Sequence, residues 1–117
     1  EQLGLLRSHR VAHRDLRLAN VFLADDGRAW IIDFGFSEIA ASDLLLATDL
    51  AELTASLATA VGAERAVASA RAAVGPVALA TALPRLKLPM LSGATRTSLK
   101  AQPGRLDEVC AAIGRPA

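Results

Sequence analysis

The sequence predicts an α+β domain that is mainly helical and carries one short β-hairpin. Two runs rich in β-branched and aromatic residues, 21–24 and 28–32, flank a turn at Asp25-Asp26-Gly27, the pattern of a hairpin. From residue 43 onward the composition changes to Ala, Leu and small polar residues, which favour helix. Hydrophobic residues make up 52% of the 117, so the chain can bury a core as one domain at most.

The first third of the chain is predicted to be a helix end followed by two loops that flank the hairpin. Residues 1–12 are expected to end an apolar helix that leads into the first loop, since they carry Leu3, Leu5, Leu6 and Val11. Residues 13–36 then form a loop, the hairpin and a second loop.

Residues 43–117 are predicted to form a helical subdomain. Ser42 or Asp43 caps a long helix that is expected to end at Val61, because Gly62 follows. Prolines and glycines divide the rest into helices and one irregular segment. The expected helices span 63–74, 76–84, 94–101 and 105–113, and the irregular segment spans 85–93.

Composition excludes several classes of protein. Thirteen basic residues against twelve acidic ones give no basic stripe, so no nucleic-acid partner is expected. Cys110 is the single cysteine, which favours a reducing, cytoplasmic compartment. The start has no signal-peptide pattern, and the uncharged stretch 72–84 is too short for a transmembrane helix. The first residue is not Met, and the first residues already follow a helical pattern. Both features predict that the chain is a piece of a longer protein.

Three polar residues in defined contexts dominate the functional interpretation. Asp15 and Asn20 belong to the octet His-Arg-Asp-Leu-Arg-Leu-Ala-Asn at 13–20, and Asp33 opens Asp-Phe-Gly at 33–35. Phosphoryl transfer needs one carboxylate that orients the acceptor hydroxyl and oxygen ligands that hold magnesium against phosphates. The alternative is a plain β-hairpin whose aspartates cap turns, because Asp and Gly are common turn residues.

The order of octet, hairpin and Asp-Phe-Gly resembles the catalytic and metal-binding loops of protein kinases over residues 11–37. The resemblance implies the C-terminal lobe of the kinase-like fold, with ATP and Mg²⁺ or Mn²⁺ as cofactors. Asp15 then matches the catalytic base, and Asn20 and Asp33 match the metal ligands that also bind the nucleotide. Arg17 is a candidate to neutralise charge on the γ-phosphate; the alternative is a solvated surface arginine.

The same resemblance implies four supporting residues. His13 and Phe34 match positions that pack the two loops against the core. Gly35 is expected to let the backbone turn after Asp33 without a Cβ clash. Asp49, among leucines on the long helix, matches an aspartate that accepts backbone N–H bonds from the catalytic loop. The alternative for Asp49 is an exposed helix residue.

The chain departs from protein kinases in two ways. It has no glycine-rich loop, and its two lysines, Lys87 and Lys100, both follow Asp-Phe-Gly. The nucleotide-covering N-lobe is therefore absent, and the chain alone is expected to be inactive. The stretch from Asp33 to Asp49 is also too short for a peptide-docking activation segment. In this short segment the chain is similar to compact kinase-like families, namely the aminoglycoside and choline phosphotransferases and the RIO and Bud kinases.

Three segments, at 15–22, 32–36 and 49–58, also resemble the kinase-like domain of actinobacterial membrane proteins related to lysylphosphatidylglycerol synthases. That resemblance implies a C-terminal membrane domain and a place at the cytosolic face of the membrane. The expected function is ATP-dependent phosphorylation of an unknown hydroxyl acceptor. The alternatives are a regulatory pseudokinase that serves as a scaffold in a membrane-associated protein, and a purely structural helical module.

Overall fold

The computed structural model describes residues 1–115 and has the expected α+β architecture, mainly helical with one hairpin. Its antiparallel strands pair in the order β1–β2. Short 3₁₀ turns at 18–20, 83–85 and 88–90 connect parts of the chain. The helices are α1 (Gln2–Ser8), α2 (Asp43–Val61), α3 (Ala63–Ala80), α4 (Gly93–Lys100) and α5 (Arg105–Gly114), and the strands are β1 (Val21–Leu23) and β2 (Ala29–Ile31).

Helix α2 is the central element of the fold. It begins as predicted, because Ser42 Oγ accepts a hydrogen bond from Leu45 N at 3.3 Å, and it ends at Gly62, whose φ of 90° lies in the left-handed region. Its buried alanines let α3, α4 and α5 pack closely around it. Helix α2 is long and apolar enough to cross a membrane, but these neighbours identify it as the core helix of this domain.

The hairpin presents one face to the helices and leaves the other exposed. Phe22 lies opposite Trp30 in the register, so both side chains are on the same face. Phe22 is 57% exposed and Trp30 is 48% exposed. Ile32 N donates to Asn20 O at 2.9 Å, which continues the pairing one step beyond the strands. The exposed apolar face therefore ends next to Asn20.

The N-terminal helix is shorter than predicted. Helix α1 ends at Ser8 rather than near residue 12, and Arg10 adopts a left-handed φ of 54°. Ala12 then forms an isolated antiparallel bridge with Glu38. Val11 continues the apolar pattern without belonging to the helix, because the chain must turn here to bring the following loop onto α2.

The expected break between residues 74 and 76 is a sharp kink within α3. Gly75 has φ 85° and ψ 163°, a conformation that is essentially restricted to glycine, and Pro76 follows as the first residue of the next helical turn. The α-helix ends at Ala80, whereas the predicted helix extended to residue 84. A 3₁₀ turn at 83–85 ends this stretch, because Pro84 cannot donate the backbone hydrogen bond that would extend the α-helix.

Candidate active site

Asp49 holds the loop that carries the predicted catalytic residues. Its carboxylate accepts hydrogen bonds from His13 N at 2.6 Å and Arg14 N at 2.8 Å. These are the hydrogen bonds that the sequence analysis expected, and Asp49 is 2% exposed rather than a surface residue. Burial raises the pKa of Asp49, while the backbone N–H groups of Arg14 and His13 and the nearby charge of Arg7 oppose the shift.

His13 connects this loop with the segment that precedes Asp33. Its Nδ1 accepts a hydrogen bond from Asp15 N at 3.1 Å, so the ring proton belongs on Nε2, which lies 2.7 Å from Ile32 O and donates to it. The imidazole is fully buried. One neutral histidine therefore ties the two predicted loops together.

Phe34 contacts His13 but does not enter the core. The two rings lie 4.8 Å apart between centroids at an interplanar angle of 59°. Phe34 nevertheless remains 41% exposed. The expectation that Phe34 packs the loop against the core is wrong in this respect, because Phe34 stays partly exposed and its ring contact is with His13.

Asp15 lies at the centre of a small polar cluster. Asn20 Nδ2 donates to the backbone oxygen of Asp15 at 2.7 Å and to its Oδ2 at 3.0 Å. Arg17 Nε donates to Asp15 Oδ1 at 3.1 Å, and the Arg17 side chain is 32% exposed. Arg17 is therefore neither a free surface arginine nor buried. Its contact holds positive charge against the Asp15 carboxylate.

Asp33 is brought beside this cluster through the backbone. Because Ile32 N is bonded to Asn20 O at 2.9 Å, Asp33 follows directly after a residue paired with Asn20. Asp33 is exposed and has a left-handed φ of 60°. Asn20 Nδ2 donates to Asp15, and Asn20 Oδ1 makes no hydrogen bond within residues 1–115. All three predicted residues thus lie in one region.

Gly35 does not have the conformational role that the sequence analysis expected. Its φ is outside the left-handed region, which Asp33 adopts instead. A Cβ at Gly35 would lie 3.4 Å from Asp33 Oδ1, at the edge of ordinary contact. The tight backbone is therefore at Asp33, and short polar residues such as Asp tolerate this conformation better than most.

The donor set fits a cation that is shared with phosphate oxygens. Among residues 1–115, no group of three or more His, Cys, Asp or Glu side chains is arranged to hold a metal ion. Asn20 and Asp33 offer one amide oxygen and one carboxylate. Magnesium commonly takes only one or two carboxylate or amide ligands from the protein when phosphates and waters supply the remaining oxygens.

Sequence reasoning missed Glu52 and Ser92. Glu52 is 7% exposed on α2, and its Oε1 accepts a hydrogen bond from Ser92 N at 2.7 Å, at the start of α4. Each residue had its own signal in the sequence, although neither signal indicates that the two are in contact. Glu52 lies three residues after Asp49 and so shares its helix face, and Ser92 is of a residue type preferred at helix N-caps.

Comparison with protein-family models, with curated proteins and with solved structures found no match. The features that bear on function are therefore those of residues 13–35 and of α2. That geometry consists of a braced loop, a carboxylate with a bonded asparagine, and a second exposed carboxylate next to them.

Proposed function

We propose that the chain is the catalytic lobe of a kinase-like phosphotransferase, which moves the γ-phosphoryl group of ATP to a hydroxyl acceptor. One observation carries the proposal: Asp15 is bonded to Asn20, and the Ile32–Asn20 backbone hydrogen bond brings Asp33 beside them. This cluster supplies a base and two oxygen ligands within one region, which is what phosphoryl transfer requires of a protein.

In the proposed reaction the acceptor oxygen forms a bond to the γ-phosphorus while the bond from phosphorus to the bridging oxygen of ADP breaks. Asp15 accepts the proton that the hydroxyl loses, and ADP leaves with the bonding electrons. Arg17, held 3.1 Å from Asp15 through its Nε, has its remaining guanidinium N–H groups available to phosphate oxygens. Asn20 keeps Asp15 in one orientation through its two hydrogen bonds.

Asn20 Oδ1 and the Asp33 carboxylate would hold Mg²⁺ or Mn²⁺. When bound, that cation neutralises the charge of the nucleotide phosphates. The exposed conformation of Asp33 supports this role, because a metal ligand shared with phosphate has to face solvent before the nucleotide binds.

The exposed hairpin face offers a surface for the nucleotide base. Phe22 and Trp30 lie on the face that ends next to Asn20, and aromatic rings stack well on bases. Neither lysine lies near this region in sequence, and no glycine-rich loop covers the phosphates. We therefore propose that tight ATP binding needs a further domain, the N-lobe, and that the chain alone has little activity.

The test is transfer of radiolabelled phosphate from ATP by the full protein that contains this chain. Asp33→Asn removes a carboxylate ligand and is expected to abolish magnesium-dependent transfer, a loss of at least about 100-fold. The matched control is Asp25→Asn, since Asp25 is an exposed aspartate in the hairpin turn. Transfer that is unchanged in the Asp33→Asn variant rejects the assignment.

A second measurement separates metal binding from turnover. Mn²⁺ with ADP should broaden the amide resonances of Asn20 and Asp33, because a paramagnetic ion acts on nearby nuclei. Broadening without phosphate transfer by the full protein would favour the alternative function, a regulatory pseudokinase domain that binds nucleotide as a scaffold.

A further inference from the structure

The hairpin that leads to Asp33 is only partly packed on the helices. A cavity of about 690 Å³ lies beneath it, lined on the hairpin side by residues that include Val21 and Ile31 and on the helix side by residues of α2 and α3. Val21 and Ile31 are half-buried, and the other strand residues are exposed. A two-stranded hairpin is at best marginally stable by itself in water. The position of this hairpin therefore depends on specific contacts in addition to apolar packing.

Gln2 supplies such a contact from the first turn of α1. Its Oε1 accepts a hydrogen bond from Ile31 N at 2.8 Å, and its Nε2 donates to Ala29 O. Successive N–H groups of a strand point to opposite edges, and Ile32 N points to Asn20, so Ile31 N lies on the edge of β2 that faces away from β1. One amide side chain thus occupies backbone groups that a third strand would otherwise bond.

The next residues along the chain connect this contact to the proposed metal site. Ile32 N donates to Asn20 O at 2.9 Å, and Ile32 O accepts from His13 Nε2 at 2.7 Å. Asp33 follows directly, with its left-handed φ of 60°. Within residues 1–115 the Asp33 carboxylate accepts one hydrogen bond, from Gly35 N at 3.4 Å. The position of that carboxylate therefore depends mainly on the backbone that precedes it.

We propose that Gln2 is a positioning residue for Asp33. Its two hydrogen bonds fix β2 against α1, and β2 in turn brings Asp33 beside Asn20. The inference rests on the proposed function, because it adds a residue to the metal site of that reaction. Groups that orient a metal ligand from behind raise the affinity for the metal without touching it.

A purely structural role for Gln2 is the alternative, and Gln102 offers a matched comparison. Gln102 Nε2 donates to Thr59 O at 2.9 Å, and its Oε1 accepts from Arg105 Nε at 3.1 Å. It is the only other glutamine in the chain, and like Gln2 it uses both ends of its amide. Thr59 lies in the last turn of α2, whereas Asp49 lies in the first half of that helix.

The experiment measures the Kd of the full protein for Mn²⁺ with ADP, from the electron paramagnetic resonance signal of the unbound ion. Asp33→Asn gives the background from Mn²⁺ that ADP holds in solution. Gln2→Met keeps the length of the side chain and removes both hydrogen bonds. We expect it to raise the Kd by about three- to tenfold, less than the roughly 10–100-fold typical for a group bonded directly to a metal ligand. Gln102→Met should lower the free energy of unfolding by a similar amount and leave the Kd unchanged.

A second measurement needs no metal. Amide hydrogen exchange of the metal-free protein reports how often the backbone at Ile32 opens. Neither substitution touches the hydrogen bond of Ile32 itself, which goes to Asn20 O. Exchange at Ile32 should nevertheless be about fivefold faster in Gln2→Met, because β2 loses its bonds to α1. Gln102→Met should leave this rate unchanged.

The outcomes separate the inference from the proposed function. The positioning role is overturned if Gln2→Met binds Mn²⁺ as tightly as the wild type, if Gln102→Met raises the Kd equally, or if exchange at Ile32 is the same in all three proteins. Each of these results leaves the proposed function standing. A wild-type protein that binds no more Mn²⁺ than Asp33→Asn overturns the proposed metal site itself.

Discussion

Asp49 fixes the backbone of Arg14, 35 positions earlier in the chain, through a 2.8 Å hydrogen bond to its N–H group. Arg14 has a left-handed φ of 70°, a conformation that is costly for a residue with a long side chain. The same carboxylate accepts from His13 N, so two consecutive N–H groups depend on one buried side chain. The loop at residues 13–20 is thus stabilised from α2 as well as by its own internal hydrogen bonds.

Asp49→Asn is expected to destabilise the fold. The asparagine side chain has one acceptor oxygen, so the N–H of either His13 or Arg14 loses its partner inside the protein. An unsatisfied buried donor costs about 1–3 kcal/mol, and the free energy of unfolding measured in urea should fall by that amount. Asp25→Asn, in the exposed hairpin turn, should change it by less than about 0.5 kcal/mol. Equal stability of the two variants would show that the Asp49 bonds contribute nothing.

The stability of the chain should also carry a pH dependence from Asp49. Burial raises the pKa of this carboxyl above its ordinary value of 3.8, so the folded state binds the proton more tightly than the unfolded state. Above pH 3.8 the contribution of Asp49 to stability therefore falls as pH rises, until the folded carboxyl is also ionised. The difference in free energy of unfolding, wild type minus Asp49→Asn, should decrease over this range. A difference that increases with pH would mean that the hydrogen bonds outweigh burial.

Local patterns in the sequence were sufficient for much of the fold. The hairpin, the long helix from Asp43 to Val61 and the break at Gly75 were predicted because each depends on residues adjacent in the chain, such as the Ser42 cap and the Gly62 stop. The end of α1 was predicted wrongly. Val11 continues the apolar pattern, but the chain leaves the helix after Ser8 to place Ala12 against Glu38, a contact between distant residues.

The predictions for the candidate site also succeeded where they depended on local patterns and failed where they depended on distant residues. Asp15, Asn20 and Asp33 could be selected from their motifs, and Asp49 from a carboxylate in an apolar helix. The contacts of Glu52 could not be predicted, because Ser92 is 40 positions away and no local pattern links the two. The expected role of Gly35 was also wrong, because Asp33 takes the left-handed backbone and the motif alone does not indicate which of its three residues will do so.

The kink in α3 should be highly sensitive to substitution at Gly75. Its φ of 85° and ψ of 163° lie in a region that residues with a Cβ rarely adopt, yet no atom lies within 4 Å of a Cβ built there. Gly75→Ala therefore tests backbone strain without a steric clash, and it is expected to lower the free energy of unfolding by about 1–3 kcal/mol. Thermal or urea unfolding measures the loss.

Gly114→Ala is the matched control for that substitution. Gly114 lies in the last turn of α5, its φ is outside the left-handed region, and a Cβ there would also meet nothing within 4 Å. Alanine should stabilise the helix by up to about 1 kcal/mol, because it loses less conformational freedom on folding. If both alanines change stability in the same direction, backbone conformation at Gly75 is not the cause.

The contact between Glu52 and Ser92 should contribute a coupling energy that can be measured. Ser92 Oγ caps α4 by accepting from Thr95 N at 3.3 Å, and it also donates to Glu52, so Ser92→Ala removes both interactions. Loss of a cap alone costs about 1 kcal/mol. A double-mutant cycle with Glu52→Ala and Ser92→Ala separates the two terms, because the cap is lost on Ser92→Ala both with and without Glu52 and therefore cancels in the cycle. We expect the sum of the losses in unfolding free energy of the two single variants to exceed the loss in the double variant by about 0.5–3 kcal/mol, the range for residues in contact. Strict additivity would mean that the Ser92 hydroxyl contributes nothing to the contact between α2 and α4, and that Glu52 acts only through Ser92 N and the Thr95 hydroxyl.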